Sequence, residues 1–508
     1  MPVVPKRTKV LALPVVRGRS YEHGLTHAAL AAVRSAANAL GINAIYPPKG
    51  VGAEGLISQM DHVSAYYERW RAEMADIKAL LIVSSDFMLE RAVQDTVRLL
   101  PADVPIFLMV NNDRPSEIAP NTIGDSLCGS LSVHHNVRML GRRIVHACRI
   151  DMRDAPCVAR FLGRYGRIID AAETLRNLRL AMIGVNPDPF ATTFTNQVKL
   201  FELGISIHTY ELLGMWGDTV LARQTEPGQR KYSGPIGEIG LANPIGRDDA
   251  RIPEVIAKLR EAVPGAPEDE RRLDTIARCV LWIKDTFERD GIDAGAIHCW
   301  PEFPRFFGLA PCSIGMMANL LLRMPVVCEQ DICHAAMAAL AWPMTGEPGV
   351  ILDVNNNGWE PRVFNVFHCS QTPPNWLSTP ARIGSWGGVE ADMAPVPFTG
   401  VSAATTSSDF RATVFHGQLL PGHINNRGTN GWAFVPNLPQ VLKCIEGYGI
   451  HHFVALKGHL GGEVADALRF RGLIVEDMAP EVPSLEELED MLPPPDAEER
   501  RSCCVFSE

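Results

Sequence analysis

The spacing of apolar residues changes once along the chain, near residue 349, and that change constrains the fold more than any other feature. Before it, short apolar runs alternate with stretches of helical periodicity. Residues 10–13 form one run, followed by an Ala-rich helical stretch at 21–40. Residues 42–46, 78–84 and 104–110 read as further strands with helices between them. Strands interleaved with helices build a parallel, doubly wound sheet, and the usual size of such units places this domain at residues 1–165. A second α/β domain is expected at 166–348, with strands at 178–184, 205–210, 294–299 and 324–328. Residues 190–202 should form a helix packing its apolar face on that sheet. Residues 230–264 read as polar and turn-rich, 269–289 as a long amphipathic helix, and 332–340 as a helix entered from the last strand.

Beyond Gly349 short strands at 350–353, 362–369, 409–419 and 452–457 are separated by Gly, Pro and Asn, and helices are scarce until 460–472. This predicts an antiparallel sheet or barrel over 349–480. Residues 481–508 form an acidic, Pro-rich tail, with a short helix expected at 484–492. The fold class is therefore α/β: two doubly wound Rossmann-like α/β domains followed by a β-rich, antiparallel, barrel-like C-terminal domain. A chain of 508 residues also exceeds what one hydrophobic core supports, in keeping with several domains.

Charge narrows the function. With 48 Lys and Arg against 58 Asp and Glu, the net charge is −10 and no long run carries either sign. That excludes a general nucleic-acid binder, which needs clustered cations. No run of about 18 uncharged apolar residues occurs, so no membrane span is expected, and the first residues lack the apolar core of a signal peptide. The 12 Cys are scattered without metal-finger spacing and read as incidental buried thiols of a reduced, cytoplasmic protein. Cys503 and Cys504 do not form a prenylation box. There is no internal repeat, no Walker loop, and no GxGxxG placed after a strand.

The window from Ala296 to Ser370 carries the chemistry. Glu329 and Asp331 directly follow the apolar strand Pro325-Val326-Val327-Cys328, at the end where α/β sheets bind ligands. Each is either a first-turn helix residue, which suits Asp331 as an N-cap, or a metal ligand. Asp353 ends the apolar run Gly349-Val350-Ile351-Leu352 and precedes three Asn, so it reads equally as a turn residue or a ligand. His368 shares a strand face with Val366 and Phe364, where a hydrogen-bonded core histidine is the plain alternative to a site residue. His451 and His452 open a strand, and alternation should let only one of them reach a shared site. Two carboxylates with one or two His give a mixed oxygen and nitrogen shell, suited to Mn²⁺ or another divalent cation over thiolate-bound Zn²⁺.

Two motifs resemble the L-fucose isomerase/L-arabinose isomerase superfamily. Val327-Cys328-Glu329-Gln330-Asp331, followed by Gly346-Glu347-Pro348-Gly349-Val350-Ile351-Leu352-Asp353, is similar to the metal-binding stretch of L-fucose isomerases, with the two carboxylates 24 residues apart. Gly449-Ile450-His451-His452 resembles the segment that supplies the third ligand. The resemblance implies Glu329, Asp353 and His452 as metal ligands, with Glu329 and Asp353 catalytic. His368 stands where arabinose isomerases place a further His, which leaves it a metal ligand or a contact to sugar oxygens. Cys299-Trp300-Pro301-Glu302 resembles a substrate-lining strand end, with core packing as the alternative for Trp300. His451 is a substrate contact by the same resemblance, and Gly18-Arg19 is similar to a Gly-Arg pair that reaches a neighbouring subunit's site. The segment His423-Ile424-Asn425-Asn426-Arg427-Gly428 has no counterpart.

The expected function is a metal-dependent aldose–ketose isomerase acting on an aldopentose or 6-deoxyaldohexose through a cis-enediol. Its partners would be a small-molecule sugar and further copies of the chain, a hexamer by resemblance, with no nucleic acid and no membrane. One rival is a non-catalytic sugar-binding or scaffold protein of the same fold, and another a metal-dependent lyase acting on a related polyol.

Overall fold

The computed structural model describes residues 9–17, 24–52, 55–113, 124–212, 215, 245–369, 371–424, 426–448 and 450–491. Arg19, residues 492–508 and most of 213–244 lie outside that set. The chain divides into two compact units, Met1–Asp170 and Ala171–Glu508.

The first unit is built on five parallel strands: β1 (Lys9–Pro14), β2 (Asn43–Ile45), β3 (Ile77–Ser84), β4 (Ile106–Asn111) and β5 (Ile144–Ile150). Their order is β2-β1-β3-β4-β5. The run of strands therefore reverses direction between β1 and β3, a doubly wound arrangement with its switch point there. β3 and β4 are buried almost throughout, and their continuous apolar runs made them visible. The edge strand β5 alternates between partly buried and exposed positions, with His146 and Arg149 among them. It lacks an apolar run, and the sequence reading missed it.

The second unit begins with β6 (Arg179–Ile183), β7 (Ser206–Tyr210), β8 (Ala294–Ile297) and β9 (Val326–Val327), parallel in the order β7-β6-β8-β9. The helix Glu270–Asp290 buries Leu273, Ile276, Val280, Ile283 and Phe287, the spacing of one helical stripe. Asp269 caps its first turn by accepting from the Arg271 N–H, and left-handed Gly291 ends it. Two local expectations fail here. In place of a helix over 190–202 there is a 3₁₀ turn at Ala191–Thr193 and one short helix, Gln197–Phe201. Phe194, Val198 and Phe201 lie exposed, and of the short helix only Leu200 is buried. Within 230–264, the helix Ile252–Ala262 replaces the expected turns, started by Pro253 in its first turn.

The rest of the unit is β-rich: β10 (Val350–Asn357), β11 (Val363–His368), β12 (Arg382–Ile383), β13 (Val389–Asp392), β14 (Pro397–Thr405), β15 (Phe410–Leu420), β16 (Thr429–Phe434), β17 (His452–Lys457) and β18 (Ile474–Met478). They run β12-β13-β16-β11-β10-β17-β14-β15-β18, and a further β15–β16 pairing closes β16-β11-β10-β17-β14-β15 into an antiparallel barrel without free edges. β14 went unrecognised because its Pro and Gly imitate turn signals. In the register Gly400 faces Phe415 and Phe398 faces Gly417, each aromatic ring lying on the opposite glycine. A Cβ at Gly400 would meet the Phe415 ring at 2.3 Å, so the glycine is required by packing. Among the described residues, no helix is long and apolar enough to cross a membrane.

Candidate metal centre

Glu329 leaves β9 in the left-handed region, with φ 58°, and so does Gln330. Two successive non-glycine residues there cost about 1–3 kcal/mol each, a cost that persists only where the surroundings over-determine the turn. Three bonds fix it. The Glu329 N–H donates to Cys299 Sγ at 3.3 Å, the Gln330 N–H to Ile297 O at 3.2 Å, and Gln330 Nε2 to Gly184 O at 2.7 Å. The turn then delivers Asp331 as the N-cap of the helix Ile332–Ala338, accepting from the His334 N–H at 3.0 Å.

The barrel supplies the opposing groups. Asp353 on β10 pairs directly with His452 on β17 and with Phe367 on β11, next to His368. His452 Nε2 lies 3.2 Å from both Glu329 Oε2 and Asp353 Oδ1. Asp353, His368 and His452 offer ligand atoms within 4.8 Å of one another, as do Glu329, His451 and His452. Four of these atoms, Glu329 Oε2, Asp353 Oδ1, His368 Nε2 and His452 Nε2, are buried without a hydrogen-bond partner. Such orphaned polar atoms are costly unless something satisfies them together. Their chemistry, two carboxylates and two imidazoles, fits a divalent cation such as Mn²⁺.

A relay behind the site fixes the key histidine. The Ala403 N–H of β14 donates to His334 Nε2 at 3.2 Å, which leaves His334 Nδ1 carrying its proton. That proton goes to Asp331 Oδ2 at 2.7 Å, and the same oxygen accepts from His452 Nδ1 at 2.7 Å. Asp331 thus holds His452 with Nε2 turned toward Glu329 and Asp353, as a carboxylate behind a metal-binding histidine does. Burial pushes the Asp331 carboxyl up, but the His334 and His452 rings outweigh it and hold the group far below the usual carboxylate range. Asp353 is likewise pushed up by burial and held low by His368 and His452. His452 is pushed down by burial, yet Asp331, Asp353 and Glu329 raise it well above its ordinary value.

The structure gathers Glu329, Asp353, His368 and His452, and corrects two details. Both His451 and His452 approach Glu329, because β17 starts at His452 and His451 precedes the pleat. Trp300 is not core: it is 49% exposed and meets Phe190 edge-on at 6.0 Å between centroids. Asp331 is an N-cap as read, but its second role and His334 escaped the sequence reading. Only the helical spacing of Asp331 and His334 hints at them.

Residues 14–179 match the family described as fucose/sulfoquinovose isomerase, N-terminal domain. Sulfoquinovose isomerases of Priestia aryabhattai and Priestia megaterium are each 22% identical over 312 residues, covering 50% of this chain and 60% of theirs. The aligned stretch therefore takes in less than two thirds of those relatives. A crystal structure of GanP, a glucose-galactose binding protein from Geobacillus stearothermophilus, aligns over 64% of this chain and 94% of its own at 12% identity, with a TM-score of 0.15 that carries no argument. Together, the N-terminal domain match and the two isomerase relatives support a likeness to fucose isomerase-like proteins.

Proposed function

We propose that the chain is a metal-dependent aldose–ketose isomerase. The observation carrying this reading is the convergence of four buried, unpartnered ligand atoms from Glu329, Asp353, His368 and His452. A divalent cation held by Glu329, Asp353 and His452, with His368 as a further ligand or sugar contact, would polarise the carbonyl of an open-chain sugar.

The two carboxylates would carry the proton. The His452 ring is sealed from solvent, whereas the side chains of Glu329 and Asp353 keep 12% and 18% of their surface exposed, so substrate approaches from the carboxylate side. One carboxylate removes the C2 proton and the other serves the opposite side of the resulting cis-enediol, with delivery to C1 giving the ketose. His451, 39% exposed in its side chain and 3.9 Å from Asp353 Oδ1, and half-exposed Trp300 would contact sugar hydroxyls and ring carbons. Arg19 is proposed as a contact to a neighbouring copy's substrate. The substrate would be an aldopentose, a 6-deoxyaldohexose or, following the relatives' activity, sulfoquinovose.

Self-association is part of the reading, supported by exposed Phe194, Val198 and Phe201 and by Leu127 and Leu131 one helical turn apart. The ten described cysteines are free, which suits a reducing cytoplasm. Within the chain, domains at 1–165, 166–348 and 349–480, with a tail at 481–508, remain the proposed division.

The test is a panel of those sugars with the Mn²⁺-loaded protein in D₂O. Ketose carrying solvent deuterium at C1 is expected. Ketose that retains the substrate's C2 hydrogen completely would refute the enediol, and no turnover with any sugar despite bound Mn²⁺ would refute the isomerase in favour of a binding protein.

A further inference from the structure

Cysteines that look incidental in the sequence meet beside this centre. Cys299 follows β8, Cys312 opens the helix Cys312–Met317, Cys328 follows β9 and Cys369 follows β11. The Sγ atoms of Cys312, Cys328 and Cys369 all lie within 4.8 Å of one another. Cys328 also contacts Cys299. The first three in chain order are buried, Cys369 is partly so, and all four are free thiols. Buried cysteines that serve only as small apolar residues need not point their sulfurs at one another. Here three sulfurs from three segments do, and Cys299 meets one of them, Cys328.

We propose that Cys312, Cys328 and Cys369, with Cys299 as the fourth ligand, form a thiolate site for a soft, tetrahedral cation of the zinc class. A zinc–sulfur distance of about 2.3 Å with tetrahedral angles puts ligand sulfurs about 3.8 Å apart, inside the 4.8 Å limit that Cys312, Cys328 and Cys369 meet, and Cys299 would complete the shell from its place beside Cys328. An iron–sulfur cluster spreads its thiolates over separate irons and sets them wider than this cluster does. The Glu329 N–H donates to Cys299 Sγ at 3.3 Å, a backbone donor that a metal-bound sulfur would keep. On binding, the cation replaces the thiol protons, which pass to solvent, and no oxidant takes part. Because Cys328 adjoins Glu329 and Cys369 adjoins His368, the cation would tie together the strand ends that carry two groups of the oxygen- and nitrogen-lined centre. The all-sulfur shell and that centre select different ions by ligand softness. The proposal uses none of the atoms on which the isomerase reading depends.

The test is zinc-edge X-ray absorption on the full, reduced chain, first loaded with Mn²⁺ and then given Zn²⁺ alone as the probe. About one zinc per chain with a sulfur shell near 2.3 Å is expected. Zinc bound only to nitrogen and oxygen at about 2.0–2.1 Å, or no zinc retained, overturns the proposal. Cys312→Ser and Cys369→Ser should each weaken zinc binding at least tenfold while Mn²⁺ still binds. If these variants fail to fold, Co²⁺ added to the unaltered chain decides: thiolate-to-cobalt charge-transfer bands support the site, and their absence refutes it. Thiol counting closes the remaining route, since a disulfide within the quartet that takes up no metal after reduction also refutes it.

Discussion

Asp331→Asn separates the two tasks that Asp331 performs. As an N-cap, Asn is as good as Asp, so the start of the helix Ile332–Ala338 is preserved. As an acceptor it is not equivalent. Asp331 Oδ2 takes 2.7 Å bonds from both His334 Nδ1 and His452 Nδ1 in a buried setting. The Asn amide loses the negative charge and can place an N–H against a ring N–H. One charge-assisted bond is worth about 1.5–3 kcal/mol, and a buried donor left without an acceptor adds about 1–3 kcal/mol. The metal-free variant should therefore be less stable by about 3 kcal/mol. The sign with pH is fixed by the depressed carboxyl: Asp331's contribution is present above the unfolded value of about 4 and lost only as pH falls through the folded one. Released from Asp331, His452 no longer keeps Nε2 toward Glu329 and Asp353, and loss of such a partner weakens metal binding about 10–100-fold. Titration with Mn²⁺ followed by electron paramagnetic resonance measures the affinity, with circular dichroism confirming the fold. A folded Asp331→Asn protein binding Mn²⁺ within about threefold of the unaltered chain, against the 10–100-fold expected, would show that the relay does not position His452.

Three further predictions concern charge. Glu329→Gln keeps the side-chain shape and removes the proton acceptor, so turnover should fall at least 100-fold, the usual reach of general acid–base catalysis; near-normal kcat with metal bound would remove Glu329 from the proton path. Burial pushes His368 down, but the Cys369 sulfur and Asp353 outweigh it and raise it to about 9, and His452 is also raised. A cation must displace those protons, so Mn²⁺ affinity should climb roughly tenfold per pH unit for each proton released below pH 9, and calorimetry in buffers of different ionisation enthalpy counts them; a flat profile with no proton release contradicts this. In the first unit, burial pushes the Asp86 carboxyl up to about 7, with Asp113 adding to it against Arg17. A folded pKa above the unfolded one stabilises fully below about 4 and is lost as pH rises through 7, so the stability of Asp86→Asn relative to the natural residue should grow by up to about 2.5 kcal/mol from pH 5 to 8; chemical denaturation at the two pH values measures it, and equal differences refute it.

What could be read beforehand follows from how local each signal is. Glu329 and Asp353 were visible because each ends an uninterrupted apolar run, and β9 and β10 do deliver them to one place. Asp331 could be read as a cap because that bond spans three residues. Its bond to His452 spans 121 residues, and the tautomer of His334 depends on a backbone N–H in β14, the strand whose Gly and Pro disguised it. The cysteine quartet was hidden for the same reason, since its members belong to four strand ends and helix starts with no common spacing. In the missed strand β14, the Phe415 ring of β15 fills the space over Gly400, and no period-2 rule detects a side chain supplied by another segment.

The centre's geometry then rests on a single buried element. Asp353 and His452 are locked to each other by the β10–β17 register, where a slip of one residue would turn both to the opposite face. Glu329 belongs to the parallel sheet instead, and its distance from that pair is set by how sheet and barrel pack. The helix Ile332–Ala338 lies between them, with every residue buried and contacts to β8, β9, β14 and β17. It is made of small residues at Ala335, Ala336 and Ala338, and it carries His334, whose ring joins β14 to Asp331 and through it to β17. The helix that spaces the two carboxylates is therefore also the helix that aims the histidine between them. A shift of that helix would alter both the separation and the tautomer, so a close-packed interior holds this centre more tightly than its four side chains could hold themselves.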